Sequence, residues 1–186
     1  MPRQVLLFDQ PERFVAGTVG QPGERQFFLQ ARDGARVVSV ALEKQQVQVL
    51  AERVEALLDE VVRRSGGEAP VPAAAPLGSD DNDPLDVPIT EEFRVGAMAL
   101  GWNGDSELVI IEAHEVVEDE AEVPDLEEDP EEGPTVLRVR LTGLAARAFA
   151  KRALIVVSAG RPPCPFCNLP LEPSGHICPR ANGYRR

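Results

Sequence analysis

The residues of this sequence that are best suited to chemistry are three cysteines and a histidine near its C terminus. Cys164 and Cys167 are separated by two residues, and His176 and Cys178 follow after a short loop that contains proline and glycine. Three thiols and an imidazole are four donors of the kind that hold structural zinc tetrahedrally, and the chain has no other cysteine. The spacing therefore predicts a structural zinc site formed by Cys164, Cys167, His176 and Cys178.

Two other interpretations of these cysteines stay open: a redox-active Cys164/Cys167 pair, and cysteines that pack without metal. A catalytic zinc is disfavoured, because such a site usually has three protein ligands and an open position, whereas four donors are present here. The terminal segment 161–186 is too short to build a hydrophobic core of its own. Bound zinc would supply the stability that this tail lacks.

Basic residues are concentrated in the same part of the chain. Residues 1–133 carry 10 basic and 30 acidic residues, whereas residues 134–186 carry 9 basic residues and one acid, Glu172. Either the basic end packs against the acidic remainder, or it contacts an anion such as phosphate or nucleic acid. The candidate anion or partner contacts are Arg138, Arg140, Arg147, Lys151, Arg152, Arg180, Arg185 and Arg186. The acidic excess disfavours a polyanion, and a single Trp and a single Tyr give little surface for base stacking.

The sequence contains no arrangement that identifies an enzyme. It has no phosphate-binding glycine loop, nucleophile elbow or dinucleotide fingerprint. His114 lies between Glu112 and Glu115 and could act as a general base, but no second catalytic element is near it in the sequence. A structural role for His114 is therefore favoured, and the balance is against catalysis.

Location is predicted from what the sequence lacks. No apolar run approaches the about 18 residues of a membrane span, and the first residues do not resemble a signal peptide. We expect a cytoplasmic protein without a membrane partner, in a compartment where thiols stay reduced and available to metal.

The elements that must position these groups come in two similar sets. Strand patterns at 14–19, 25–31 and 37–42, with a predicted hairpin turn at Asp33-Gly34, precede apolar residues at helical spacing over 43–64. Strand patterns at 93–102, 107–114 and 136–141, with a second turn signal at Asn103-Gly104, precede a helix over 144–157 that Thr142 could cap.

This order predicts an α+β fold of two packed βββα repeats, either joined edge to edge in a six-strand sheet or stacked sheet on sheet. Coincidence between short strand patterns is the alternative to true duplication. The predicted division is a first unit 1–64, a flexible Pro/Ala/Asp-rich linker 65–86, a second unit 87–160 with an acidic loop 118–134, and a zinc-binding tail 161–186.

The chain resembles an uncharacterised actinobacterial family of conserved hypothetical proteins, which is classed as a domain of unknown function. Four motifs carry the resemblance. They are Phe-Asp-x-Pro-x-Arg-Phe-Val-Ala-Gly-Thr-Val-Gly at 8–20, Ser-Val-Ala-Leu-Glu-Lys at 39–44, Ala-Gly-Arg-Pro-Pro-Cys-Pro-Phe-Cys at 159–167, and Gly-His-Ile-Cys-Pro-Arg-Ala-Asn-Gly-Tyr-Arg-Arg at 175–186. The resemblance covers nearly the whole chain apart from the linker and the acidic loop, and it implies no activity.

The leading functional hypothesis is a non-enzymatic, zinc-stabilised binding or adaptor protein that acts through protein–protein contacts. One alternative is a nucleic-acid-binding module that uses a sheet face and the basic C-terminal segment. The other is an enzyme or accessory protein that acts on phosphorylated or nucleotide ligands.

Overall fold

A computed structural model describes residues 2–117, 124–160, 163–169, 171 and 176–180, and these contain seven strands and two helices. The strands are β1 Val5–Asp9, β2 Arg13–Val19, β3 Gln26–Asp33, β4 Arg36–Leu42, β5 Glu91–Asn103, β6 Leu108–Glu115 and β7 Val136–Leu141. The helices are α1 Lys44–Ser65 and α2 Gly143–Ser158. The predicted α+β class is confirmed.

All seven strands form one mixed sheet in the order β1-β7-β6-β5-β4-β3-β2. Two antiparallel meanders, β2-β3-β4 and β5-β6-β7, are joined edge to edge by the parallel pair β4 and β5. A parallel pair needs a crossover connection, and α1 with the chain that follows it provides this connection. Each meander is followed by a helix, while the duplication of one half from the other stays a prediction.

The structure differs from the predicted elements at three places. β1 was absent from the prediction, and its short apolar run becomes a strand because β7 offers a free edge for parallel pairing. The first hairpin pairs Asp33 with Arg36, so its turn residues are Gly34 and Ala35 rather than Asp33 and Gly34. In the second hairpin the turn is the four-residue loop 104–107 between β5 and β6.

The main core lies between the two helices and one face of the sheet. The buried residues of α1 are Val47, Leu50, Ala51, Val54 and Leu58, which recur at the three-and-four spacing of one helix face. Thr142 caps α2 as predicted, since its side chain accepts a hydrogen bond from the Ala145 amide. Phe149 of α2 stacks on Phe14 of β2, with ring centroids 4.6 Å apart. Within the described part of the chain, no helix is long and apolar enough to cross a membrane.

The predicted linker and residues 124–134 of the acidic loop pack against the opposite sheet face, and each places a leucine over a strand glycine. Residues 118–123 of that loop lie outside the described part of the chain. In the predicted linker 65–86, buried Leu85 contacts Gly17 so closely that a methyl group there would lie 2.5 Å from a leucine carbon. In the acidic loop, Leu126 covers Gly101, where an added methyl group would lie 2.4 Å from a leucine carbon. Both faces of the sheet are therefore partly covered.

Candidate metal centre

A tight turn positions the first two cysteines. The Cys164 amide donates to the Leu169 carbonyl and the Asn168 amide donates to the Cys164 carbonyl, each at 2.8 Å. Asn168 has φ of +62°, a left-handed conformation that asparagine tolerates better than most residues. The Phe166 amide points at Cys164 Sγ at 3.5 Å. Backbone hydrogen bonds thus fold the Cys-x-x-Cys segment back on itself.

The second pair of donors lies against the first. Cys178 Sγ is 3.8 Å from Cys164 Sγ, and His176 Nε2 is 3.2 Å from Cys167 Sγ. All four donor atoms lie within 4.8 Å of one another. The four residues that the spacing singled out are therefore brought together, and the cluster could bind a metal ion.

The cluster is set partly below the surface. Cys164 and Cys178 are buried, while Cys167 and His176 are half-buried. The cysteines form no disulfide, and the 3.8 Å between Cys164 Sγ and Cys178 Sγ is far beyond the about 2.0 Å of a sulfur–sulfur bond.

The pKa values of two thiols, Cys164 and Cys167, are shifted in opposite directions. Burial raises the pKa of Cys164, but backbone amides of Cys167 and Phe166 outweigh this and bring its pKa below the usual value. For Cys167 the Leu169 amide lowers the pKa, but burial and the neighbouring sulfurs of Cys178 and Cys164 outweigh it and raise the pKa overall. Adjacent thiolates repel one another, and a cation between them removes this penalty.

A comparison with protein families gives a match over residues 6–178 to the family described as "Protein of unknown function (DUF3090)". The chain belongs to the DUF3090 family. The match includes all four residues of the cluster and confirms the resemblance to a domain of unknown function. Comparisons of this DUF3090 protein with curated proteins and with solved structures gave no match.

Two of the predicted anion contacts of this DUF3090 protein, Arg138 and Arg140, lie on β7 and hold the acidic loop. Arg138 makes a two-pronged contact with Asp129, at 2.9 and 2.7 Å, and donates to Glu112. Arg140 donates to Glu127. Carboxylates of the same chain therefore occupy both guanidinium groups.

The candidates on α2 also contact carboxylates. Buried Arg147 contacts Glu55 and Asp59 of α1, and the Lys151 ammonium is 2.5 Å from Asp80. Arg152 pairs with Asp81 and donates to the Ala16 carbonyl. Arg180 is exposed in the tail and donates to the Phe166 carbonyl at 3.3 Å. Arg185 and Arg186 lie outside the described residues.

His114 is buried beside Glu112 on the sheet face opposite the helices. His114 Nε2 is 3.2 Å from a Glu112 oxygen. Burial raises the pKa of Glu112. Contacts from His114, Arg138 and the Glu127 amide lower this pKa by more than burial raises it, so it lies below the usual value. The carboxylate of Glu112 accepts hydrogen bonds from Arg138 and from the Glu127 amide, so it links β6 and β7 to the acidic loop.

Sequence reasoning missed the apolar side chains that surround the cluster. Phe166, Leu169 and Ile177 are exposed by 62%, 51% and 82%. The available signal was their position: large apolar residues next to predicted ligands, in a tail too short to bury them.

Proposed function

We propose that this protein is a non-enzymatic binding or adaptor protein whose C-terminal tail is folded by structural zinc and presents an apolar surface to a protein partner. The observation that carries the proposal is the convergence of four donor atoms, three sulfurs and an imidazole nitrogen, within 4.8 Å. Its body is proposed to be a duplicated βββα unit, supported by the order of elements in the two halves. A reducing cytoplasm would keep the thiols available.

The donor set supports zinc over other metals. Thiolate and imidazole donors suit zinc, and hard cations such as calcium and magnesium prefer oxygen. Two thiolates bound tetrahedrally to zinc at about 2.3 Å are separated by about 3.8 Å. The distance between Cys164 Sγ and Cys178 Sγ is 3.8 Å. A saturated site without an open position supports a structural role rather than a catalytic one.

The exposed apolar residues support a protein partner. Phe166, Leu169 and Ile177 stand on or next to the ligand-bearing segments, so zinc would fix their positions relative to one another. Large apolar groups that remain exposed around a rigid scaffold are typical of contact surfaces. Ordering them in advance reduces the entropy lost on binding.

The metal claim is tested by mass-spectrometric metal analysis of the full-length protein, purified without a histidine tag. We expect about one zinc per chain, and the loss of most of it in Cys164→Ser, because a hydroxyl is a poor zinc ligand. Phe166→Ser is the matched control from the same turn and should keep its zinc. Full zinc content and unchanged stability in Cys164→Ser would contradict a zinc site at this cluster.

The partner claim is tested separately by chemical cross-linking and co-purification from the native organism. We expect a specific protein to be recovered with the wild-type chain, and its recovery to fall at least about tenfold with the Phe166→Ser/Ile177→Ser double variant, since buried aromatic anchors dominate interfaces. Zinc content must stay unchanged in that variant. Equal recovery by both forms would remove the tail surface from the proposal.

The nucleic-acid alternative gains no support from the basic residues of β7 and α2, because these already contact carboxylates. A gel-shift titration at increasing salt concentrations tests this alternative. Retardation of RNA or DNA by the protein at low salt would support it.

A further inference from the structure

A cleft of about 880 Å³ lies where the N terminus of α1 meets the C terminus of α2. This volume falls within the range of small-molecule sites. Its walls include Arg25, Phe27, Lys44, Leu154, Ile155 and Val157, and none of the described residues that line it is acidic. The described lining therefore combines two basic side chains with apolar ones, in a chain whose net charge is −12.

The two basic residues of the cleft differ from most other cations of the molecule. Among the described residues, the lysines and arginines without a carboxylate within 4.0 Å are Arg25, Arg36, Lys44, Arg53 and Arg180. Two of these five, Arg25 and Lys44, line the same cleft. On α2 and on β7, by contrast, each described arginine and lysine pairs with a carboxylate.

The two cationic groups converge on one point. A methyl group added at Gly160 would lie 3.4 Å from Lys44 Nζ and 3.7 Å from Arg25 Nη2. A single phosphate or carboxylate group placed there could accept hydrogen bonds from both side chains. Because Gly160 has no side chain, no atom of the described residues fills this point.

Arg25 is held in place and Lys44 is not. The Arg25 guanidinium lies over the Phe27 ring, 5.3 Å from its centroid, and its Nη1 is 3.5 Å from the Val156 carbonyl. The last turn of α2 has no basic residue, so Arg25 also offsets the negative end of this helix. The Lys44 side chain makes no hydrogen bond or ion pair within the described parts of the chain. No contact within the described parts of the protein therefore balances its positive charge.

We propose that this cleft binds a small molecule with an anionic head group, phosphate or carboxylate, and an apolar portion. Arg25 and Lys44 hold the head group beside Gly160, and Phe27, Leu154, Ile155 and Val157 contact the apolar portion. The described lining residues of this cleft belong to 23–160, and none of them is a residue of the cysteine–histidine cluster.

The test is an NMR titration of the isotope-labelled full-length protein with phenyl phosphate in one arm, phenylacetate in the other, and benzyl alcohol as the neutral comparison. We expect at least one anion to shift the amide signals of Lys44 and Gly160, with weaker binding at higher salt. Binding by phenyl phosphate alone identifies a phosphate site, and binding by phenylacetate alone identifies a carboxylate site.

Lys44→Gln should raise the dissociation constant of the bound anion about tenfold, the loss of one charge-assisted contact. Arg53→Gln is the matched control, because Arg53 is also on α1, is exposed and has no described ion pair. Gly160→Leu should block binding while zinc content stays unchanged. The proposal is overturned if neither anion binds, if benzyl alcohol binds equally well, or if Lys44→Gln leaves the affinity unchanged.

Discussion

Arg147 is a single buried side chain that fastens α2 to α1. Its side chain is 1% exposed and contacts the carboxylates of Glu55 and Asp59, while its Nε donates to the Pro72 carbonyl at 3.0 Å. The sequence made Arg147 a candidate contact for an anion or a partner, and the anions that it contacts belong to the same chain. Its partners are themselves partly exposed, so the arginine carries most of the desolvation.

Arg147→Ala should lower the free energy of unfolding by about 3 kcal/mol, since it removes a buried charge pair and leaves a cavity between the helices. Urea unfolding followed by circular dichroism measures this. Lys151→Ala, which removes a half-exposed pair with Asp80 one turn further along α2, is the control and should cost at most about 0.5 kcal/mol. Equal losses in the two variants would show that Arg147 is no more important than a surface residue.

At the scale of elements, the segment 65–86 has specific contacts that its composition does not reveal. Leu85 is buried in a small cluster with Val15, Phe28 and Ala41. Asp81 pairs with both Arg13 of β2 and Arg152 of α2. The segment therefore connects the sheet edge to the second helix.

Leu85→Ala should lower the free energy of unfolding by about 2 kcal/mol through loss of apolar contact and a new cavity. Leu77→Ala is the matched control in the same segment, because Leu77 is fully exposed and should change stability by less than about 0.5 kcal/mol. Urea midpoints at constant m-value give both numbers. A neutral effect of Leu85→Ala would indicate that the segment does not pack on the sheet in solution.

The pairing of Asp81 predicts acid sensitivity. The hydrogen bond from Arg13 lowers the pKa of Asp81 more than burial raises it, so the folded protein holds the carboxylate in its charged form. A lowered folded-state pKa stabilises above the unfolded value of about 4, and this stability is lost as pH falls through the folded pKa.

Urea unfolding at pH 7 and at pH 3 should therefore show a smaller loss of stability on acidification in Asp81→Asn than in the wild type, by about 1 kcal/mol after allowance for solvent screening. Asp105→Asn is the control, because Asp105 has no ion pair among the described residues and should follow the wild type. Identical pH dependence in wild type and Asp81→Asn would exclude this pair as a source of acid sensitivity.

For the whole molecule, the decisive feature is that one sheet and one main core include both predicted units. The core contains residues of β2 and β3 as well as β6 and β7, and the parallel pair of β4 and β5 joins the meanders. The division into two units at 65–86, predicted from composition, stays a prediction. Whether the two units unfold together or separately can be measured.

We expect the two halves to unfold in one cooperative transition, because separating them would expose the shared core. Trp102 fluorescence reports on β5, and hydrogen exchange of β3 amides reports on the first meander. Their urea midpoints should coincide, and Cys164→Ser should leave that coincidence unchanged because the tail lies outside the main core. Two separated midpoints would instead support independent domains.

The sequence by itself determined most of the local structure. Apolar spacing predicts α1 and α2, and Thr142 caps α2. Four of the six predicted strands fall within the observed bounds and the other two begin one residue early, because period and capping are local properties. The spacing of Cys164, Cys167, His176 and Cys178 also identified the cluster, because donor types and loop length limit what such residues can do.

Only the tertiary structure decided which charges are satisfied and where a cleft remains. The sequence shows that basic residues are concentrated near the C terminus, but it cannot show that Arg147 finds Glu55 or that Arg138 finds Asp129, since these pairs depend on packing. Nor can it show that Arg25, Lys44 and Gly160 come together, because they lie in the loop before β3, at the start of α1 and just after α2. Long-range proximity is set by how the sheet and helices share one core, and no local pattern encodes that arrangement.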